Sequence, residues 1–286
     1  MTVSPPGLDL NVLRRWIDRT EVVEDLVTPR LEAAFRATLN RAPGHPSAGE
    51  VASPCIHWSL APSIAPTDAL GDNGHPRRNG FLPPAPLPSR MWAASELHFL
   101  SPLRIGDKVT RHSRIEDIVA KEGRSGSLCF VTVRHVWSTA RGAAVEERQD
   151  LVYRSHGATE APAPSNRAAA APEATWRRSW ACDPVLLFRY SAITLNAHRI
   201  HYDHAYATEV EGYRHLVVHA PLQATALVAQ ATDICGAPPR SFAFRSVAPL
   251  FADGPFTANG AQKGDGLQLW VSDSHGRTTM TADAAW

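Results

Sequence analysis

The sequence predicts an α+β chain of two similar halves, each a helix followed by an antiparallel meander. Three observations carry this reading. The run "APLQATALVAQATDICG" is apolar nearly all round at helical spacing, stops at Gly236, and precedes four strand-like runs. The first half ends the same way, with helical segments and then four strand-like runs. Between the halves lies "SHGATEAPAPSNRAAAAPEAT", residues 155–175, rich in Ala, Pro and Ser and poor in large apolar groups. Such a stretch buries too little surface to offset its ordering entropy, so it reads as a linker.

Taken in order, the elements begin with helical segments around "LNVLRRWID" and "TPRLEAAFRATLN". A Pro/Gly-rich stretch, 66–88, reads as a long irregular loop; such loops inside a domain are often functional. Its "GDNGHPRRNG" carries no Walker-type lysine and is only a faint phosphate-cradle signal. The strands "MWAASELHFLSP", "DKVTRHSRIEDIVAKEG", "SLCFVTVRHVWST" and "AAVEERQDLVYR" follow, and Cys129, Val131, Val133 and Trp137 alternate with more polar neighbours, the period of a half-buried strand. In the second half, 190–195 reads as a β-prone apolar run that breaks at Asn196. Pro221 suits the first turn of the long helix. The runs "RSFAFRSVAPLF", "PFTANGAQ", "LQLWVSDS" and "TTMTADAAW" are separated by Asp-Gly, Lys-Gly-Asp-Gly and His-Gly turn signals. The expected division is an N-terminal domain 1–154, the linker 155–175, and a C-terminal domain 176–286. A diverged duplication is inferred, without residue-level repetition.

Composition narrows the function classes. With 29 basic against 28 acidic residues and a net charge of +1, the chain has no electrostatic footprint for nucleic acid and no polybasic run for a membrane surface. No apolar run reaches ~18 residues and the start lacks a signal-peptide order, so a soluble, cytoplasmic protein is expected. Cys55, Cys129, Cys182 and Cys235 lie far apart with no Cys-x-x-Cys pair, and are expected to be buried small hydrophobes.

Chemistry concentrates in "RYSAITLNAHRIHYDHAYA", residues 189–207, where His198, His201, Asp203 and His204 follow closely on Asn196. Three readings are open: a metal site, an acid/base site, or a polar loop. His198-x-x-His201-x-Asp203 offers ligand types that zinc or iron accepts. On a regular helix, however, His198 and Asp203 diverge, and the apolar run before them points to a turning backbone; no metal is expected.

The stretch resembles the hydratase 2 motif of MaoC-like R-specific enoyl-CoA hydratases and dehydratases. Tyr190, Ser191 and Thr194 match in kind, Ile200 and His201 fall on the aliphatic-His pair, and Ala207 takes the final small position. Asn196 stands at the motif's catalytic Asp, His198 at its Asn and Arg199 at its Pro. This variant is similar to a two-domain subgroup of fungal-type mitochondrial 3-hydroxyacyl-thioester dehydratases and bacterial mesaconyl-C4-CoA (3-methylfumaryl-CoA) hydratases. "GFLPPAPLPSRMWAASELHFLSPLRIGD", "ERQDLVYR" and "FAFRSVAPLF" extend the likeness over nearly the whole chain.

The resemblance implies a tandem hot-dog, each half a long helix wrapped by an antiparallel sheet. It also implies reversible hydration of an α,β-unsaturated acyl-CoA, with a short branched dicarboxylyl-CoA as the favoured substrate. His201 is then the acid/base, Asn196 positions the water, and Asp203 is an orienter or second carboxylate. The backbone at Ala220, Leu222 and Gln223, at the start of the long helix, is the expected oxyanion and thioester site. A Gly usually precedes the Pro-Leu in the family, and Ala220 replaces it here. Tyr190, His198, His219 and Arg199 are expected at the substrate, Arg199 as a partner for a free carboxylate. No cofactor is expected beyond the CoA of the substrate, and a homodimer is left open. The alternatives are a fatty-acid-type 3-hydroxyacyl-ACP or -CoA dehydratase, a hot-dog thioesterase, and a non-catalytic acyl-thioester-binding module.

Overall fold

The computed structural model describes residues 8–77, 80–123, 126–154 and 173–286, with the backbone alone of 122–123. The expected linker lies outside these residues except for 173–175.

In the second half, the helix expected at Pro221 is α4, Ala220–Cys235, closed by Gly236 in the left-handed region (φ 73°), whose N–H donates to Thr232 O. Leu222, Ala224, Ala226, Leu227, Val228 and Ala231 are buried, as a helix apolar on every face requires. It packs on four strands: β7 (Ser241–Ser246), β8 (Phe256–Lys263), β9 (Gly266–Ser272) and β10 (Thr278–Ala285). An edge strand the sequence reading missed, β6 (Trp176–Trp180), pairs with β8.

The first half has α1 (Leu10–Leu13), β1 (Thr20–Leu26), α2 (Pro29–Thr38), β2 (Ser89–Phe99), β3 (Lys108–Gly123), β4 (Gly126–Thr139) and β5 (Gly142–Arg154). Strand β1 was also not expected; alternate residues face solvent, and it pairs with β3 from Thr20↔Arg114 to Leu26↔Lys108. Helix α2 starts on Thr28, whose hydroxyl accepts from Leu31 N–H, and buries Phe35 completely. At ten residues it is shorter than α4, and it packs on a helix of the other half, α3 (Pro184–Thr194). Loop residues 81–87 cover part of the first half's core instead. Ala85 and Leu87 bury there against Ile115, Ile118, Val131 and Leu151.

All ten strands form one antiparallel sheet in the order β1-β3-β4-β5-β2-β7-β10-β9-β8-β6. The halves meet where β2 pairs with β7, from Ala94↔Arg245 to His98↔Ser241. Two helix-bearing curved sheets fused edge to edge make a tandem hot-dog.

Two expectations are corrected. Residues 190–194 are helix, not strand: Asp183 caps α3 through a hydrogen bond from Leu186 N–H, Pro184 takes the first turn, and Leu187, Tyr190 and Ser191 form its buried stripe. That cap outweighs the β-branched Ile193-Thr194, and Leu195 ends the helix in the left-handed region. Cys55, Cys129 and Cys182 are buried, but Cys235, in the last turn of α4, is exposed. No described helix is long and apolar enough to cross a membrane.

Candidate active site

Helix α3 delivers the chain to the site. After Leu195 turns it, the Asn196 side-chain oxygen accepts from His198 N–H at 3.0 Å, fixing an Asx turn. A 3₁₀ turn, Arg199–His201, follows, and Val217 N–H bonds Ile200 O to bring the approach to α4 alongside. His201 is thus buried beside the N-terminus of α4, on the wall of a cleft of ≈ 1070 Å³ that runs into the first half.

The geometry of His201 assigns its protons. Nδ1 lies 2.7 Å from the Val217 carbonyl, which can only accept, so Nδ1 carries the hydrogen. Nε2 is left as a lone pair with no hydrogen-bond partner among the described residues. Burial lowers the ring's pKa to about 4, so His201 is a neutral base at physiological pH. His219 stacks on it at 3.6 Å between ring centres and bonds Ser191 Oγ through Nε2 at 2.8 Å. His198 stands edge-on to His201 at 5.5 Å. Burial first, and the neighbouring imidazoles second, hold both His198 and His219 well below the usual histidine range.

The first half contributes a wall. Arg199 N–H donates to Asn73 O, and the His75 ring lies 4.4 Å from His198. Gly74 (φ +86°) approaches so closely that a β-carbon would sit 1.8 Å from Ala197 O. Arg90 Nη2 donates to His75 Nδ1 at 3.0 Å. Below the turn, buried Glu211 accepts from Ser89 Oγ and Tyr206 OH, the latter in a π-helical turn Tyr206–Val210.

At the N-terminus of α4, Ala220, Pro221 and Gln223 line the cleft. The N–H groups of Ala220 and Leu222 have no partner among the described residues, whereas the Gln223 N–H donates to His219 O. The Gln223 backbone is therefore not the free donor expected, and its side-chain oxygen accepts from Thr279 Oγ1.

The structure thus brings Asn196, His198, His201, His219, Ala220 and Gln223 to one cleft wall. It does not bring Asp203, Arg199 or Tyr190 there. Asp203 accepts from Arg199 Nη2 at 2.7 Å and from Tyr206 N–H at 3.0 Å. Arg199 also donates to Asp72 O and stacks over Tyr206. Tyr190 is fully buried behind His219, 5.0 Å from its ring. Sequence reasoning missed His75, Gly74, Arg90 and Glu211 as parts of the site; the one signal was the length of the loop that holds the first two. Among the described residues, no three His, Cys, Asp or Glu are grouped to hold a metal ion.

Comparisons with known proteins identify the family. The family model described as hydroxyacyl-thioester dehydratase type 2 matches residues 55–252. The chain is 43% identical to the mesaconyl-C(4)-CoA hydratase of Chloroflexus aurantiacus over 93% of its length and 95% of that protein's. It is 24% identical to the mitochondrial hydroxyacyl-thioester dehydratase type 2 of Schizosaccharomyces pombe, over 76% of this chain and 79% of that one. In fold it is similar to a MaoC-like dehydratase from Phytophthora capsici, with a TM-score of 0.71 at 12% identity, covering 98% of this chain and 99% of that one. The chain is a hydro-lyase that belongs to the hydroxyacyl-thioester dehydratase type 2 family.

Proposed function

We propose that the chain reversibly hydrates an enoyl-CoA whose acyl group is a short branched dicarboxylate of the 3-methylfumaryl kind, forming citramalyl-CoA. The name of the 43% identical relative supports the substrate. The chemistry is carried by one observation: a buried, neutral His201 with its Nδ1 proton tied to Val217 O and its Nε2 free, beside the N-terminus of a helix.

Hydration then runs as follows. Asn196 holds a water by its amide, and His201 Nε2 takes a proton as the water oxygen bonds to Cβ. The double-bond pair moves toward the thioester, and the enolate oxygen is met by the Ala220 and Leu222 N–H groups and the dipole of α4. His201 returns the proton to Cα. Ser191, His219 and Val217 keep the imidazole in its plane and tautomer throughout. Burial that depresses the His201 pKa also makes the imidazolium short-lived, which favours return of the proton to carbon. No metal or nucleotide takes part. A thioesterase would need a carboxylate near the start of α4. Its early turns carry Gln223 and Thr225, and Asp233, at the far end, is paired with Arg41 and Arg178.

The test is a spectrophotometric screen of the purified protein with 3-methylfumaryl-CoA, crotonyl-CoA and a long-chain enoyl-CoA, with free thiol followed in parallel. Loss of the enoyl-thioester absorbance without thiol release is expected, fastest with 3-methylfumaryl-CoA. Thiol release would make the protein a thioesterase, and silence in both channels would make it a binding module.

A further inference from the structure

We propose that Arg90 is the specificity-determining residue of this cleft, forming a bidentate pair with the free carboxylate of a dicarboxylyl-CoA. The inference rests on the substrate reading above, and it replaces Arg199 in that role.

Three described arginines line the cleft: Arg77, Arg90 and Arg111. Arg77 is exposed and its Nε–H is held by Leu70 O. Arg111 is paired with Glu21 at 2.6 Å. Through Trp137 and Val145 its register leads to Phe99 of β2, nine residues beyond Arg90, which at ~3.3 Å per residue is roughly 30 Å of strand. Arg90 differs from both. It is half-buried, and among the described residues its side chain forms no ion pair and a single hydrogen bond, to His75 Nδ1. A guanidinium has five N–H donors, and holding it away from water without an anion is unfavourable. The missing partner is an anion supplied from the cleft.

Distance favours the acyl carboxylate as that anion. In 3-methylfumaryl-CoA the free carboxylate is bonded to the carbon that takes the hydroxyl. With reacting atoms about 3–3.5 Å apart, water bridging Nε2 and Cβ puts the carboxylate within roughly 6–7 Å of His201 Nε2. His198, in ring contact with His201, is also near enough to Arg90 for its charge to contribute to keeping His198 neutral, after burial and His201. The His75 bond orients the guanidinium, since Arg can only donate and His75 Nδ1 must accept. Arg199, by contrast, already holds Asp203 and Asp72 O.

The experiment crosses Arg90→Gln with removal of the substrate's charge. Values of kcat/KM are measured for wild type and variant on 3-methylfumaryl-CoA, on its free-carboxylate methyl ester, and on crotonyl-CoA. Loss of a charge-assisted pair corresponds to roughly 10–100-fold. The variant should lose that factor on 3-methylfumaryl-CoA, mainly in KM, and change less than about threefold on crotonyl-CoA. Wild type should lose a similar factor on the ester, with no further loss in the variant, the coupling a direct contact gives. Arg90→Lys should fall between, because the charge remains but the fork does not. If Arg90→Gln fails to fold, Arg90→Lys and the wild-type ester comparison still decide the matter. Equal losses on 3-methylfumaryl-CoA and crotonyl-CoA would assign Arg90 to the CoA moiety or the fold and overturn the proposal. A wild type that prefers 3-methylfumaryl-CoA, with a variant that keeps that preference, would overturn the Arg90 assignment while leaving the substrate reading intact. A wild type that hydrates crotonyl-CoA and ignores 3-methylfumaryl-CoA would overturn both.

Discussion

Gly74→Ala tests whether the loop from the first half sets the geometry of the catalytic turn. The new β-carbon would lie 1.8 Å from Ala197 O and 2.8 Å from Ala197 C, both backbone atoms that no rotamer change can move aside. Restoring van der Waals distance requires roughly 1.5 Å of displacement between the loop and the turn. Ala197 sits between Asn196 and His198, so the displacement is transmitted to the amide proposed to position the water and to the ring against His201. A misplacement of about 1 Å costs on the order of 10²-fold in rate. Alanine at φ +86° adds local strain of about 1–2 kcal/mol.

Gly49 separates the two effects, because it has nearly the same φ, +88°, and nothing within 4 Å of a new β-carbon. The assay is steady-state hydration together with thermal unfolding of both variants. Gly49→Ala should lose a few degrees of Tm with kcat unchanged. Gly74→Ala should lose at least as much Tm and 10–100-fold in kcat. If Gly74→Ala turned over at the wild-type rate, with the Tm of Gly49→Ala, the loop would not be positioning the site and the reasoning would be refuted.

Further outcomes follow from the same geometry. His201→Ala should lower turnover at least ~10²-fold with folding intact, and chelators should leave wild-type turnover unchanged; full activity in the variant together with loss on chelation would reverse the assignment. Asn196→Ala should lose turnover through a misplaced water, whereas Asn196→Asp, which restores the motif's carboxylate, should retain or raise it; equal losses in both would remove Asn196 from the reaction. Acid should destabilise the fold early. His201 (about 4) and His57 and His135 (about 3) all titrate below the ordinary 6.5, with burial as the main cause. The unfolded chain therefore takes up protons first, and stability present above pH 6.5 is lost as pH falls toward 4 and below, about 3 kcal/mol from His201 alone. A Tm that is flat from pH 7 to 5 would contradict this.

The elements were legible where local chemistry and packing agree. Helix α4 announces itself through Pro221, an unbroken apolar surface and Gly236, and the strands of both meanders through alternation and Gly turns. Strands β1 and β6 were not: in "TEVVEDL" the exposed face mixes Val22 and Leu26 with Thr20 and Glu24 while Glu21 and Asp25 share the other, and "WRRSW" is short, so neither edge strand shows a clean apolar alternation. Residues 190–194 differ for another reason: the β-branched Ile193-Thr194 pair favours a strand, but the Asp183-Pro184 start at the other end of α3 commits the segment to helix. A cap at one end of a segment decides more than the strand propensity of its other end.

The site was half legible, and the missing half has one physical cause. Sequence proximity selected His198, His201, Asp203 and His204 as a group, but the chain turns within them. Asp203 faces Arg199, and exposed His204 faces His215 at 5.0 Å. The cleft is instead completed by His219, 18 residues beyond His201, and by a loop that meets the turn across 127 residues where Arg199 reaches Asp72. A hot-dog half builds its catalytic turn beside the N-terminus of its own helix, so His201 and α4 could be paired from one half's sequence alone. The opposite wall comes from the sister half, through contacts such as Gly74 against Ala197 that leave no periodic trace. Arg90, the residue proposed to recognise what the acyl group carries, belongs to that wall. Reaction type was therefore readable from the second half's sequence, while substrate choice depends on how the two halves pack.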